Sequence, residues 1–313
     1  MKLSFVIPCY GSENTITNVI EEILQVVQQR QEYDYEIITV NDCSPDHVLD
    51  VLMELAEHNQ KLKVVDCAKN MGKHAALMAG YAYTEGDIIV SLDDDFQCPT
   101  DQLWKLLEPL DHGKDVVVAK YGHKKQSLIK NMGSKLNDFM TMKLIGKPKG
   151  FQLSNFFAMK RYVCDEMLKY HNAYPYIDGL YLRTTKYLEN VPMEERERLE
   201  GRTNFNLKRS LSLFVNGFTA FSIRPLRIAT YLGAAFAVLG LLCVIFIIIY
   251  KLCNPEVLAG YSSTLAVIIF IGGMIMLMLG IIGEYIGRIY ISLNNSPQYV
   301  IRDLINIDTP EKE

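Results

Sequence analysis

No two of the seven cysteines, Cys9, Cys43, Cys67, Cys98, Cys164, Cys243 and Cys253, form a C-x-x-C pair, and their number is odd. That speaks against a disulfide framework or a zinc site and leaves reduced thiols packed in a cytosolic interior and a bilayer. A basic excess is also missing. The chain carries 32 Lys and Arg against 36 Asp and Glu, a net charge of -4, which argues against nucleic acid as a partner. Internal repeats and low-complexity segments are absent. Residues 1–8 are short, strand-like and followed at once by polar residues, which is not the pattern of a secretory signal peptide.

What is present is apolar sequence of two kinds. The 313 residues are 49% hydrophobic, enough for one sizeable soluble domain plus membrane segments. In the first half, short β-rich runs at 3–8, 36–40, 62–67, 87–92 and 115–119 have the character of buried parallel strands. Between them Ile16, Val19, Ile20, Ile23, Leu24 and Val27 recur at helix spacing, as do Leu49, Leu52, Leu55 and Ala56. This alternation predicts an α/β domain with a parallel sheet covered on both faces. The pattern loosens after Lys120, where His123, Lys124, Lys125, Lys130 and Lys135 are either a solvated helix face or partners for phosphate.

Asp93-Asp94-Asp95 follows directly on the fourth run. A strand that ends in clustered carboxylates places hard oxygen ligands at the carboxyl edge of a sheet, where open α/β proteins bind nucleotides. In an extended chain Asp93 and Asp95 point to one side, toward one divalent cation and a diphosphate, and Asp94 points to the other. A solvated acidic turn is the plainer account of the triplet taken alone.

Residues 225–250 and 265–285 each hold the ~20 apolar residues that span a bilayer. Lys208, Arg209, Arg224 and Arg227 precede the first span and Arg288 and Arg302 follow the second, while the connection has one lysine and one glutamate. That bias puts both ends in the cytoplasm. Glu284 and Arg288, spaced i, i+4, are placed to neutralise one another. Just before the spans, Leu207, Leu211, Leu213, Phe214, Phe218 and Phe221 mix with Lys208 and Arg209. Such a stretch either lies in the lipid interface or is a core helix of the soluble domain. The expected division is a catalytic domain at 1–205, juxtamembrane helices at 206–224, a two-helix hairpin at 225–290 and a cytosolic tail at 291–313.

Four stretches taken in order resemble a known family: 3–10 (LSFVIPCY), 36–46 (EIITVNDCSPD), 70–76 (NMGKHAA) and 93–97 (DDDFQ). They are similar to inverting family 2 glycosyltransferases with the A-type, Rossmann-like nucleotide-sugar fold. The closing stretch 283–290 (GEYIGRIY), after two spans, resembles the polyprenyl-phosphate branch of that family. That branch includes dolichol-phosphate mannose synthase and bacterial enzymes loading glucose or aminoarabinose onto undecaprenyl phosphate. The likeness runs from about residue 3 to residue 302.

The resemblance implies a metal-dependent transfer from a UDP- or GDP-linked sugar to undecaprenyl or dolichyl phosphate. The setting implied is the cytoplasmic face of a membrane, most naturally a bacterial plasma membrane during cell-envelope polysaccharide synthesis. Homo-oligomerisation is left open. By the same likeness Pro8 and Tyr10 contact the nucleoside, the tyrosine ring offering a stacking surface. Asp42 accepts from base or ribose, although an Asp there is as readily a turn or cap residue. Asp93 faces the nucleotide, and Asp95 and Gln97 hold Mg2+ or Mn2+ against the phosphates. Lys120 stands where the family commonly has arginine. Arg196, Arg198, Gly201, Arg202 and Thr203 match the basic loop that grips the lipid phosphate, with Arg198 nearest the chemistry; a solvated charge run is the alternative.

Three departures stand out. Gly11 and Ser12 precede Glu13 where relatives read P-x-Y-N-E, and Asn41 precedes Asp42 where they read D-D. Residues 150–157 (GFQLSNFF) carry no acid where several relatives have an Asp proposed as base. Asp178 is then a weak candidate base, or none is needed. A phosphate monoester, with a second pKa near 6, is already largely ionised at neutral pH. The rival readings are a processive polysaccharide synthase, a tethered transferase acting on a glycan acceptor, and a non-catalytic sugar-nucleotide-binding scaffold. The single Trp104 does not sit in the Q-x-x-R-W signature of the first.

Overall fold

The apolar runs of the first half form strands because both faces of each are covered, so nearly every position in them is buried. The computed structural model describes residues 1–122, 142, 146–194, 196, 260–293 and 297–307, with scattered positions from 231 to 253. In chain order the elements are β1 (Lys2–Cys9), α1 (Ile16–Val27), β2 (Asp34–Asn41), α2 (Val48–His58), β3 (Leu62–Cys67), α3 (Lys73–Tyr81) and β4 (Ile88–Ser91). A 3-10 turn (Thr100–Gln102), α4 (Leu103–Asp111), β5 (Val116–Tyr121), β6 (Phe157–Lys160), α5 (Arg161–Leu168), α6 (Ile177–Thr184), β7 (Leu188–Met193), α7 (Tyr261–Leu293) and β8 (Ile301–Ile305) follow.

The eight strands form one sheet in the order β7-β5-β6-β4-β1-β2-β3-β8. All five expected strands are present, but the sheet is mixed and not wholly parallel. β6 runs antiparallel between β4 and β5, and β8 lies antiparallel on the outer side of β3. Because β6 reverses twice, β5 still runs parallel to β4, and β7 runs parallel to β5. The carboxyl ends of β1 to β5 and β7 therefore share one edge of the sheet.

Alternation within β1 divides the core. Leu3, Phe5, Ile7 and Cys9 pack with α1, α2 and α4 in one hydrophobic cluster. Val6 faces α3, which lies so close that a Cβ on Gly80 would stand 2.5 Å from Val6 Cγ1 and 2.9 Å from Val40 Cγ2. Helices thus cover both faces, and β1 and β4 diverge in chain order at the centre, the point where such sheets open a ligand crevice.

The chain divides into two compact units, Met1–Leu207 with Asn295–Glu313, and Lys208–Asn294. The tail from 291 onward contains an edge strand: β8 pairs with β3, and Asn306 donates to the carbonyls of Ala56 and Leu62 at 2.9 Å each. Within the second unit α7 has the length and apolar character to cross a membrane, and none of its apolar window, Phe270–Gly287, is buried. It is the one such helix among the described residues. Tyr231, Leu242, Phe246 and Tyr250, from the other expected span, are helical and exposed. Most of that span, the juxtamembrane stretch and the lysines from 124 to 135 lie outside the described residues.

Candidate active site

The sheet's central crevice is closed at its floor by Asp94. Its carboxylate accepts the backbone N–H of Tyr10, just after β1, at 3.0 Å, and its carbonyl accepts the Thr15 hydroxyl at 2.6 Å. Burial pushes the Asp94 carboxyl up to about 6. Asp94 thus takes partners from the loop after β1, but strand pairing ends at Ser91 and residues 94–96 form a bend, so the alternation of an extended strand does not apply there. Phe96 adopts φ +62° there, the left-handed region that non-glycine residues seldom occupy.

Asp93 and Asp95 take different partners on that bend. Lys73, the first residue of α3, forms an ion pair with Asp93 Oδ1, and the Asn155 amide donates to Asp93 Oδ2 at 2.7 Å. Asp95 Oδ1 accepts the Gln97 N–H at 3.2 Å. Below Asp93 a narrow pocket is lined by Lys73, His74, Asn155, Phe157 and Asp178. Asp178, the candidate base, accepts from the Tyr181 hydroxyl at 2.9 Å, and burial raises its pKa.

The loops after β1, β2 and β3 are tied to one another. Both oxygens of Asp42 accept backbone N–H groups, from Met71 and Gly72, at 2.8 Å each. Asp42 therefore holds the turn before α3 in place, the structural half of the two roles open to it. Asn41 donates to Asp66 at 2.7 Å and accepts from the Ser44 N–H at 3.1 Å. An aspartate at 41 would set two carboxylates against each other, which explains the departure from D-D. Gly11 takes φ +71° and donates its N–H to Ser44 at 2.8 Å, while Glu13 accepts from the His47 N–H at 2.9 Å.

Of the nucleoside candidates, Tyr10 is 54% exposed and Pro8 is buried inside β1. Lys120 lies near the end of β5, in register with Pro192 of β7, on the same sheet edge as Asp93. Arg196 is committed elsewhere, to Glu22 at 2.6 Å and Asp101 at 2.5 Å. Arg198, Arg202 and Thr203 lie outside the described residues. Lys73, His74 and Asn155 are site residues to which sequence reasoning assigned no role. Lys73 and His74 stand inside a quoted motif, and that is the one signal that pointed to them.

Among the described residues no three His, Cys, Asp or Glu side chains gather into a cage of the kind that binds metal unaided. Asp93 is engaged at both oxygens by Lys73 and Asn155, and Asp95 stands beside Gln97 on the same bend. One carboxylate and one amide do not suit zinc, but they fit a hard cation that takes one or two carboxylates and completes its shell with substrate phosphates and water.

Residues 4–168 match the family described as Glycosyl transferase family 2. The chain belongs to that family. Residues 224–289 match the GtrB C-terminal hairpin. An uncharacterized glycosyltransferase, YkcC, of Bacillus subtilis is 30% identical over 98% of this chain and 95% of its own. The undecaprenyl-phosphate 4-deoxy-4-formamido-L-arabinose transferase of Proteus mirabilis is 28% identical over 99% and 96%. Family domain, hairpin and relatives agree with the polyprenyl-phosphate branch, and the mixed sheet is the family's A-type fold. Among solved structures, mannosyl-3-phosphoglycerate synthase from Rubrobacter xylanophilus is 19% identical at a TM-score of 0.48, covering 70% of this chain and 73% of that one.

Proposed function

We propose that this glycosyltransferase moves a sugar, with inversion, from a nucleotide-sugar to a polyprenyl phosphate at the cytoplasmic face of the membrane. The observation that carries the reading is a relative named as an undecaprenyl-phosphate sugar transferase that spans both the catalytic unit and the hairpin, 99% of this chain. The geometry supports it. Tyr10 offers the exposed ring on which a base stacks, and Asp93, oriented by Lys73 and Asn155, accepts from the sugar-nucleotide. Lys120 adds charge at the phosphate side of the same edge.

Asp95 and Gln97 are the residues to hold Mg2+ or Mn2+. Such an ion, when bound, neutralises charge building on the departing nucleoside diphosphate. Arg198, Arg202 and Thr203 are proposed to bind the lipid phosphate, whose oxygen attacks the anomeric carbon while the bond to the diphosphate breaks. That oxygen is largely anionic at neutral pH, so positioning and charge neutralisation suffice and no general base is required. Asp178 then serves the pocket and not proton transfer.

The membrane placement has two supports. Segments before 207 and after 295 belong to one unit, and β8 is a strand of its sheet, which favours a chain that leaves and returns on one side. Such a path suits two spans at 225–250 and 265–285. The lysine and arginine excess at the outer ends of those spans suits a cytoplasmic catalytic unit. The test is purified protein incubated with a panel of UDP- and GDP-sugars, Mg2+ or Mn2+ and short polyprenyl phosphates, read by mass spectrometry. Lipid-linked monosaccharide is the expected product. Transfer to a glycan acceptor alone, with the lipid unmodified, would refute the reading.

A further inference from the structure

Arg196 lies just beyond β7, and four contacts hold it, two to the bend at 93–97 and two to α1 and the 3-10 turn. Its backbone N–H donates to the Gln97 carbonyl at 3.3 Å. Its guanidinium pairs with Glu22 of α1 at 2.6 Å and with Asp101 of the 3-10 turn at 2.5 Å. The same group lies 5.2 Å from the centre of the Phe96 ring. Glu22 is nearly buried, and among the described residues its other oxygen has no hydrogen-bond partner, so its charge is met by Arg196.

Phe96 and Gln97 need that support. A phenylalanine at φ +62° persists only where its surroundings over-determine it, and such strain is retained chiefly at sites that use the resulting shape. Here the left-handed residue stands between Asp95 and Gln97, the two groups proposed to face the cation. One arginine closes the turn by its backbone, covers the ring by its fork and anchors both to α1 and the 3-10 turn. A guanidinium suits this because its planar fork serves two carboxylates and an aromatic face at once.

We infer that Arg196 is a positioning residue that sets the shape of the Asp95–Gln97 bend and ties it to α1 and the 3-10 turn, and is not a ligand of the lipid phosphate. The inference rests on the proposed reading that Asp95 and Gln97 hold a divalent cation.

The test uses full-length protein in detergent with Arg196→Ala, Arg196→Lys and Glu22→Gln. Three quantities are read: Mn2+ affinity in the presence of UDP by electron paramagnetic resonance, amide exchange at Phe96 to Cys98, and the KM for polyprenyl phosphate. For Arg196→Ala the Mn2+ dissociation constant should rise about tenfold, the size expected for losing hydrogen bonds to charged groups. Amide exchange at the bend should quicken, and the lipid KM should stay within about twofold of wild type, since no interaction with that substrate is removed. Arg196→Lys should restore part of the loss, and Glu22→Gln should reproduce a milder form of it. A raised lipid KM with unchanged Mn2+ affinity and unchanged exchange would overturn the inference and return Arg196 to the acceptor site. So would three unchanged quantities. Should wild-type protein bind no Mn2+, the cation reading fails, while exchange at the bend still decides whether Arg196 holds it.

Discussion

Asn155 donates its amide to Asp93 Oδ2 at 2.7 Å, across 62 residues of sequence. Residues 150–157 carry no acid; Asn155 there supplies a hydrogen-bond donor that, with Lys73 on Oδ1, holds the carboxylate of Asp93 from both sides. Asn155→Ala should lower kcat/KM for the donor by about tenfold, the scale of a hydrogen bond to a charged acceptor. The pH dependence of kcat should keep its shape, since no proton passes through Asn155. Steady-state kinetics across pH 6 to 9 check both; a lost basic limb in the variant would assign Asn155 a part in proton transfer.

Lys73 and Asp93 are each partly exposed, with side chains 35% and 21% accessible. An ion pair so placed contributes little to folding, about 0–1 kcal/mol. Its value is local, because it keeps Asp93 aimed. Lys73→Met is therefore expected to leave the thermal midpoint nearly unchanged while raising the donor KM about tenfold or more. Calorimetry and donor titration on the same sample separate the two effects. A collapse in thermal stability with an unaltered KM would make the pair structural.

His74, beside Lys73, is half-buried with its ring edge-on to Tyr176, centroids 5.2 Å apart. Burial pushes its pKa down to about 4, and the Lys73 charge acts in the same direction. The folded value lies below the unfolded one near 6.5. The neutral ring's contribution is therefore fully present above about pH 6.5 and is lost as pH falls toward 4, about 3 kcal/mol in all. Thermal unfolding of wild type should fall more steeply over that window than that of His74→Gln. Parallel curves would show that His74 carries no such linkage.

Gly80 sits where α3 meets the sheet. Gly80→Ala would bring a methyl to 2.5 Å from Val6 Cγ1 and 2.9 Å from Val40 Cγ2, both in central strands with little freedom to move. The expected loss is about 1–3 kcal/mol, the range for overpacked cores. Chemical denaturation measures it, and a variant as stable as wild type would mean that α3 is free to shift outward.

The central strands were legible because a strand buried on both faces carries an apolar run at its centre, as Phe5 to Ile7 do in β1, Ile37 and Ile38 in β2, Val64 and Val65 in β3, Ile88 to Val90 in β4 and Val116 to Ala119 in β5. β6 is apolar too but only four residues long, and β7 and β8 are not of that kind. β7 is an edge strand carrying Glu189, Asn190 and Pro192, residues tolerated where no outer neighbour needs their N–H groups. β8 alternates Arg302 and Asp303 among its apolar residues and pairs with a strand more than 230 residues earlier. Nothing local announces that pairing. In the site, the acidic triplet was readable as a contiguous motif, but its partners were not: Lys73 and Asn155 reach Asp93 from 20 and 62 residues away. Arg196 misled in the opposite direction, since a run of Glu194, Glu195, Arg196, Glu197 and Arg198 gives no hint that one arginine is spent on Glu22 and Asp101.

The central claim is that the bend after β4 receives the donor's diphosphate beside a cation held by Asp95 and Gln97. Crystals or frozen particles of the full chain prepared with a nucleotide-sugar and Mn2+ test it most directly, the ion located by its anomalous signal or density. The account predicts manganese against the Asp95 carboxylate, phosphates on its far side and the base over Tyr10. Manganese elsewhere, or a donor bound away from the carboxyl edge of β1 and β4, would contradict it.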